Sequence, residues 1–370
     1  MHGDKQVNST PSTPSRAAAL GVRWHMLRRQ ERQRWLFVAF LALFYPAWLV
    51  IVATNHAWGL TLQNWPMAVA MGLGSYVAGS TPMGGGAIGF PVLVLLFDQP
   101  AAMGRNFAFA IQSIGMTAAS CYILAGSVPL AWRPLRWSML GTLLGTPIGV
   151  TLLAPALNDL TLKLVFATLW AGLGVMIALN LQRWSKPEKA PIKTTARSRD
   201  ESTHRTLERT VMLGVGLIGG ATVASFTGTG VNLLLFATLV LLYRVDLRIA
   251  VPTSVVLMAF TSVIGLGACW SAGELTKQPG VFGAWLAAAP VAALGAPLGA
   301  YAVRHIPRSI TLSFVALLCF GQFGWTLIQN RPSSTVMVST ILGLLALTLL
   351  FWALGTAGRK RADARNQAAV

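Results

Sequence analysis

The chain has 370 residues, of which 54% are apolar and 11% charged, and it carries a formal net charge of +18 at pH 7. This composition excludes an ordinary soluble domain, because runs of about twenty uncharged residues recur, each long enough to cross a bilayer. It also excludes a nucleic-acid binder, since the basic residues stand in loops and tails and no folded domain interleaves them with aromatics.

In chain order, residues 1–22 are rich in Ser, Thr, Pro and Ala and are expected to be disordered. A basic stretch from Arg23 to Arg34 precedes an apolar run at 36–54. That run is long for a signal-peptide core and reads as a first spanning helix that stays. The next apolar segment, GSYVAGSTPMGGGAIGFPVLVLLF from Gly74 to Phe97, is broken at Gly84, Gly85 and Gly86. Spans follow near 106–128, 137–156 and 164–182. Residues 183–209 are charged, contain proline and lack apolar periodicity, so they read as a linker long enough to be disordered. A second broken segment, IGGATVASFTGTGVNLLLFATLVL from Ile218 to Leu241, breaks at Gly228 and Gly230. Spans near 249–270, 281–303, 309–328 and 336–354 complete the chain. Cys121, Cys269 and Cys319 stand singly in apolar spans and read as small hydrophobes, with no metal or disulfide spacing.

Charge sets the topology. With the N-terminus inside, 25 of the 29 Lys and Arg residues fall on the inner side, as the positive-inside rule requires. Each broken segment enters and returns, or crosses twice, so its parity is even. Each is followed by three spans, and the two sets therefore have opposite orientation. The expected fold is an all-α polytopic membrane protein of two inverted repeats. Each repeat starts with a Gly-broken helical hairpin followed by three spans, with one extra helix at each end. The expected divisions are a cytoplasmic basic tail at 1–35, a first half at 36–182 with its repeat from about 67, a cytoplasmic linker at 183–209, a second half at 210–354 and a cytoplasmic tail at 355–370. At an offset of 144, Gly72, Leu73, Gly84, Gly86 and Leu95 match Gly216, Leu217, Gly228, Gly230 and Leu239.

The glycines divide by pattern. Gly141, Gly145, Gly295 and Gly299 have the spacing that lets helices approach closely. Three adjacent glycines at 84–86 cannot all face one partner, and each weakens a helix by about 1 kcal/mol relative to Ala. That points to unwound backbone, which survives at membrane depth only where protein, water or ligand meets its polar groups. Gly-interrupted segments at matching places in two halves point to the binding site of a secondary transporter.

At these residues the chain resembles the TauE/SafE family of sulfite exporters, also called the toluene sulfonate uptake permease family. The resemblance covers most of residues 67–328. It is carried by the first break with Pro91, by the second break with SFTGTG, and by LRIAVPTSVVL from Leu247 to Leu257. It implies a secondary transporter of a small sulfur oxyanion, sulfite or an organosulfonate, with export the expected direction. Three departures stand out. Thr229 takes the middle position of the second break, Leu235 stands opposite Pro91, and Gln112 and Ser113 stand at the depth of Thr253 and Ser254.

The residues suit such a ligand. Half-helices starting after Gly86 and Gly230 would aim free N–H groups and a partial positive charge at one point. Candidate binding residues are Gly84, Gly85, Gly86, Gly228 and Gly230, with Ser80, Thr81, Gln112, Ser113, Thr227, Thr229, Asn232, Thr253 and Ser254 supplying hydroxyls and amides. The ordinary alternative for each hydroxyl is a bond to a carbonyl one turn back. Arg105 and Arg248 adjoin the breaks as entrance charges or interfacial anchors. Asp98 and Asp246 end the broken segments, where coupling or simple capping could use them. No Asp, Glu or His lies mid-span, no Ser/His/Asp, Cys/His or paired-carboxylate arrangement is present, and no GxxxxGK[ST] motif marks ATP use. The reading is therefore not an enzyme, with no cofactor and no metal. Expected partners are a small anion and membrane lipids, with nucleic acid excluded and homo-oligomerisation allowed. The expected location is the bacterial cytoplasmic (inner) membrane, with both termini cytoplasmic. A passive anion channel and a membrane scaffold for a partner enzyme remain the alternatives.

Overall fold

The computed structural model describes residues 16–81, 83–126, 128–185, 201–302 and 308–367. Among these residues every regular element is helical, and nine helices are long and apolar enough to span a membrane. We number the helices α1 (Arg16–Thr54), α2 (Trp58–Gln63), α3 (Trp65–Ser80), α4 (Gly86–Leu96), α5 (Ala101–Ala125), α6 (Trp132–Ala156) and α7 (Asp159–Ser185). There follow α8 (Glu201–Gly219, prolonged to Thr227), α9 (Val231–Leu242), α10 (Leu247–Ser271), α11 (Glu274–Lys277), α12 (Gly280–Ala302), α13 (Arg308–Asn330) and α14 (Ser334–Gln367). Large apolar side chains such as Leu43, Leu73, Leu179, Leu317 and Trp352 face outward. So much exposed apolar surface fits lipid rather than water. The protein is an integral membrane protein.

The order α3–α4, α5, α6, α7 is repeated as α8–α9, α10, α12, α13, and the packing is reciprocal. Helix α3 of the first set lies along α12 of the second, while α8 of the second lies along α6 of the first. Helix α5 lies against α10, and α7 against α13. Both reciprocal seams are made of small residues. A Cβ at Gly79 would collide with the Ala296 carbonyl, at Gly295 with the Ser75 hydroxyl and at Gly299 with the Tyr76 carbonyl. In the other seam, Gly141, Gly145 and Gly149 lie against the carbonyls of Leu213, Leu217 and Ala221. Backbone-to-backbone approach is the favoured way for helices to associate where lipid removes the hydrophobic drive between them.

The duplication extends to local geometry. The last turns of α4 and α9 are both π-helical, at Val92–Leu96 and Thr238–Leu242. Both are followed by a non-glycine residue in the left-handed region, Asp98 at φ 49° and Arg244 at φ 54°. The same bonds close both corners: Gln99 N–H to Leu93 C=O at 3.0 Å, and Val245 N–H to Leu239 C=O at 2.9 Å. These equivalences run at an offset of 146, whereas the break glycines run at 144. The stretch after the second break is two residues longer. The structural counterpart of Pro91 is thus Ala237, not Leu235.

Helix α1 packs outside the two sets, with the Tyr45 hydroxyl donating to the Pro290 carbonyl at 2.8 Å and the Trp48 indole to the Leu286 carbonyl at 3.0 Å. At the other end of the chain α14 lies on α7 and α9. Two segments differ from expectation. Residues 16–22, expected to be disordered, form the first turns of α1, and residues 201–209, read as linker, open α8. Residues 1–15 and 186–200 lie outside the described residues.

The seams yield a contrast. Gly145→Val should lower thermal stability in detergent by about 2–3 kcal/mol or more, as overpacking does. Gly267→Ala should leave stability unchanged or raise it by up to about 1 kcal/mol, because nothing lies within 4 Å of a Cβ there and Ala favours the helix. Thermal unfolding of the two purified variants checks this.

Candidate functional site: two helix breaks joined by one amide

Helix α3 stops because its last hydroxyls turn back on it. Ser80 and Thr81 donate to the Val77 carbonyl at 3.1 and 2.8 Å, and Thr81 is extended, at φ −139° and ψ 165°. Gly84 then takes φ 75°, a conformation that costs glycine nothing and other residues more. From there α4 starts, with the Ile88 and Gly89 amides bonded to the Gly85 carbonyl at 3.2 and 3.0 Å.

The second break has the same sense. Helix α8 loosens into a π-helical turn at Gly220–Ala224 and ends at Thr227. Gly228 and Gly230 take φ 73° and 97°. The Thr227 hydroxyl lies 2.8 Å from the carbonyls of both Val223 and Thr229, and its oxygen accepts the Thr229 amide at 3.3 Å. Asn232 accepts the Gly230 amide at 3.1 Å through Oδ1, which ties off the start of α9.

The two tips meet. The Gln112 side chain, midway along α5, donates through Nε2 to the Gly228 carbonyl at 3.0 Å and to its own helix at Ala108 at 2.9 Å. The Thr229 hydroxyl lies 3.4 Å from both Gln112 Oε1 and the Met83 carbonyl. A Cβ at Gly84 would strike Gln112 Oε1, one at Gly86 would come 2.6 Å from Gln112 Nε2, and one at Gly228 would strike the Arg105 carbonyl. Gln112, Thr227, Thr229 and Asn232 are all within 1% of complete burial. The junction is closed and close-packed, and one primary amide bridges it.

The expected site residues therefore divide. Gly84, Gly85, Gly86, Gln112, Gly228 and Thr229 come together, and Thr227 and Gly230 shape the second tip. Ser80, Thr81 and Asn232 serve their own breaks. Ser113 bonds the Ala110 carbonyl of its own helix at 2.8 Å. Thr253 and Ser254 lie elsewhere: each bonds its own helix, and the Thr253 oxygen accepts the Ala131 amide at 3.0 Å ahead of α6. The residue of α10 that faces the junction is Met258, whose sulfur is 4.0 Å from the Thr229 hydroxyl. At the offset of 146 Met258 is the counterpart of Gln112, a register that sequence matching at 144 conceals. Gln322 on α13 also went unsuspected. It donates to the Ala87 carbonyl at 2.7 Å, behind the first tip.

Arg105 is neither an entrance charge nor an interfacial anchor. Only 2% exposed, it pairs with Glu274 of α11 at 2.8 Å and donates through Nε to Asn106 Oδ1 at 2.9 Å. Asn106 in turn donates to the Glu274 carbonyl at 3.2 Å and accepts from the Cys269 thiol at 3.4 Å. This network fastens α5 to α10 and α11 about two turns before Gln112. Arg248 is exposed, and the Asp246 carboxylate caps α10 by accepting the Arg248 amide at 2.7 Å. Burial pushes the Glu274 carboxyl up, but hydrogen bonds from Lys277 and Arg105 and their charges outweigh it and hold the group below its usual 4.5. No group of three or more metal-ligating side chains occurs among the described residues.

The family model described as "Sulfite exporter TauE/SafE" matches residues 66–323, which include both breaks, α5 and α10. The chain belongs to this family. TauE/SafE proteins are membrane transporters of sulfur anions. No curated protein and no solved structure matches the chain.

The Arg105–Glu274 pair sets a pH dependence. A carboxyl lowered by folding adds stability above its unfolded value, and loses it as pH falls through the folded one. Thermal stability should thus decline below pH 4.5. Glu274→Gln should flatten that decline and cost about 3 kcal/mol at pH 7, because Arg105 stays buried without its partner. Thermal unfolding across pH measures both.

Proposed function

We propose that this TauE/SafE protein is a secondary transporter that exports a small sulfur oxyanion, sulfite or an organosulfonate, with the anion held between the two breaks. The observation that carries this is the meeting of both tips at Gln112 and Thr229 in the middle of the bundle. A half-helix N-terminus offers N–H groups and a fraction of a positive charge, and two of them converge here. Neutral donors give an anion a foothold without the deep well that an embedded, unpaired arginine would create. The guanidinium that does lie nearby is already satisfied by Glu274.

The reading includes inverted repeats and alternating access. The two sets of helices would rock about the α5–α10 contact. The closed junction would be the state between openings, and to open it the Gln112 amide must leave the Gly228 carbonyl. The termini and the 183–209 linker would face the cytoplasm across the bacterial inner membrane. Close packing at Gln112 and Thr229 favours a carrier over a passive channel, because a channel of this kind would need a continuous wet path. A scaffold for a partner enzyme would depend on the basic linker, so deletion of most of residues 186–205, stopping short of α8 at Glu201, would abolish its function and leave a transporter's intact.

Proteoliposomes loaded with sulfite should take up labelled sulfite by counterflow, faster than protein-free vesicles. In Gly85→Leu the new side chain would start 3.2 Å from Met71 Cε, 3.7 Å from Ala78 Cβ and 3.8 Å from Gln112 Cγ, between the first tip and the bridging amide. Uptake by that variant should fall to the rate of protein-free vesicles while membrane insertion persists. Wild-type uptake no faster than protein-free vesicles across a panel of sulfur oxyanions would reject the proposal.

A further inference from the structure

We propose that the cleft where α6 and α8 leave the bilayer binds the head group of an anionic phospholipid. The cleft has a volume of about 340 Å³ and is lined by Arg133, Arg136, Trp137, Leu140, Glu208 and Arg209. Three guanidiniums against one carboxylate make it cationic on balance. Arg209 lies over the Trp137 ring, with Cζ 5.5 Å from the centroid, and Arg136 lies 6.0 Å from the Trp132 ring. An indole face orients a guanidinium without neutralising it, so both cations keep charge to offer a phosphate. Guanidinium donors in a fork match phosphate oxygens in pairs. Tryptophans at this level also mark the boundary between head groups and acyl chains.

Apolar surface continuous with the cleft makes the ligand a lipid rather than a free phosphate. Leu140 belongs to the cleft wall, and beyond it the α6–α8 seam is flanked by exposed Leu144, Leu213 and Leu217. Gly141 brings the two helices to backbone contact there, so the seam is a shallow apolar furrow under a cationic mouth. A glycerophospholipid has that polarity in the same order: phosphate at the surface, acyl chain beneath. Basic pockets between spanning helices are known to hold such head groups. The site lies outside the break junction and shares no residue with it. A lipid bound here would brace the α6–α8 seam, one of the two that carry the reciprocal packing.

Native mass spectrometry of the purified protein tests this with phosphatidylglycerol, phosphatidylcholine and inorganic phosphate. The wild type should retain phosphatidylglycerol in preference to phosphatidylcholine, and excess inorganic phosphate should not displace it. Arg136→Gln and Arg209→Gln should each weaken retention about fivefold, the effect of one basic residue at a membrane surface. The charge-matched pair Arg359→Gln and Lys360→Gln, exposed on α14, should leave it unchanged. Equal retention of the two lipids by the wild type, or equal losses in the cleft and control variants, would overturn the proposal. Displacement by phosphate would also overturn it, in favour of a small-anion site.

Discussion

A peptide group released from a helix inside an apolar bundle has nowhere to turn but to its neighbours. Leaving one unbonded there costs several kcal/mol. This chain releases such groups twice, at 81–86 and at 228–230, and sets the two releases against each other. Gln112 spans them, bonding the Gly228 carbonyl and its own helix at Ala108. Positive φ at Gly84, Gly228 and Gly230 makes the turns feasible, and the missing side chains make room for the amide. The remainder of the fold serves to hold these tips in register. The α3–α12 and α6–α8 seams bring the stems to backbone contact, and the Arg105–Glu274 network pins the helix that carries Gln112.

The repeated order of helices packs reciprocally, yet the junction between the breaks is lopsided. The first tip lies against α5, and the second lies against both α5 and α10. Their corners are equivalent down to the left-handed Asp98 and Arg244. At the junction the equivalence fails: α5 presents the amide of Gln112 and α10 presents the thioether of Met258. One wall is an amide whose Nε2 is already bonded to the Ala108 and Gly228 carbonyls, and the other offers a soft, polarizable surface.

Much of this was legible in the sequence because the signals are local. Apolar runs marked the spans, most closely at 247–271 against 249–270, whereas the first and last helices run more than ten residues beyond the apolar runs at Arg16 and Gln367. Glycine triplets and pairs marked the breaks, and Gly141, Gly145, Gly295 and Gly299 marked the seams. What escaped depends on distance or register. Arg105 resembled a helix-end charge because its partner Glu274 lies 169 residues away. Thr253 and Ser254 resembled site residues because they belong to the LRIAVPTSVVL motif, whereas alignment of the break glycines at an offset of 144 would set Gln112 against Val256. Two additional residues before the second π-helical turn move the true match for Gln112 to Met258. The start of α8 was masked by composition: residues 201–209 are charged, yet they continue inward as a single helix with the apolar span behind them.

Accessibility of the junction is the most direct measurement of the central claim. In a background free of Cys121, Cys269 and Cys319, Thr229→Cys places a thiol between the two tips. If the breaks form an alternating site, that thiol should react slowly with membrane-impermeant maleimides supplied on either side of reconstituted vesicles, and sulfite should slow both reactions. A thiol that stays unreactive from both sides while the vesicles transport sulfite would show that the junction is static packing and that the anion travels elsewhere.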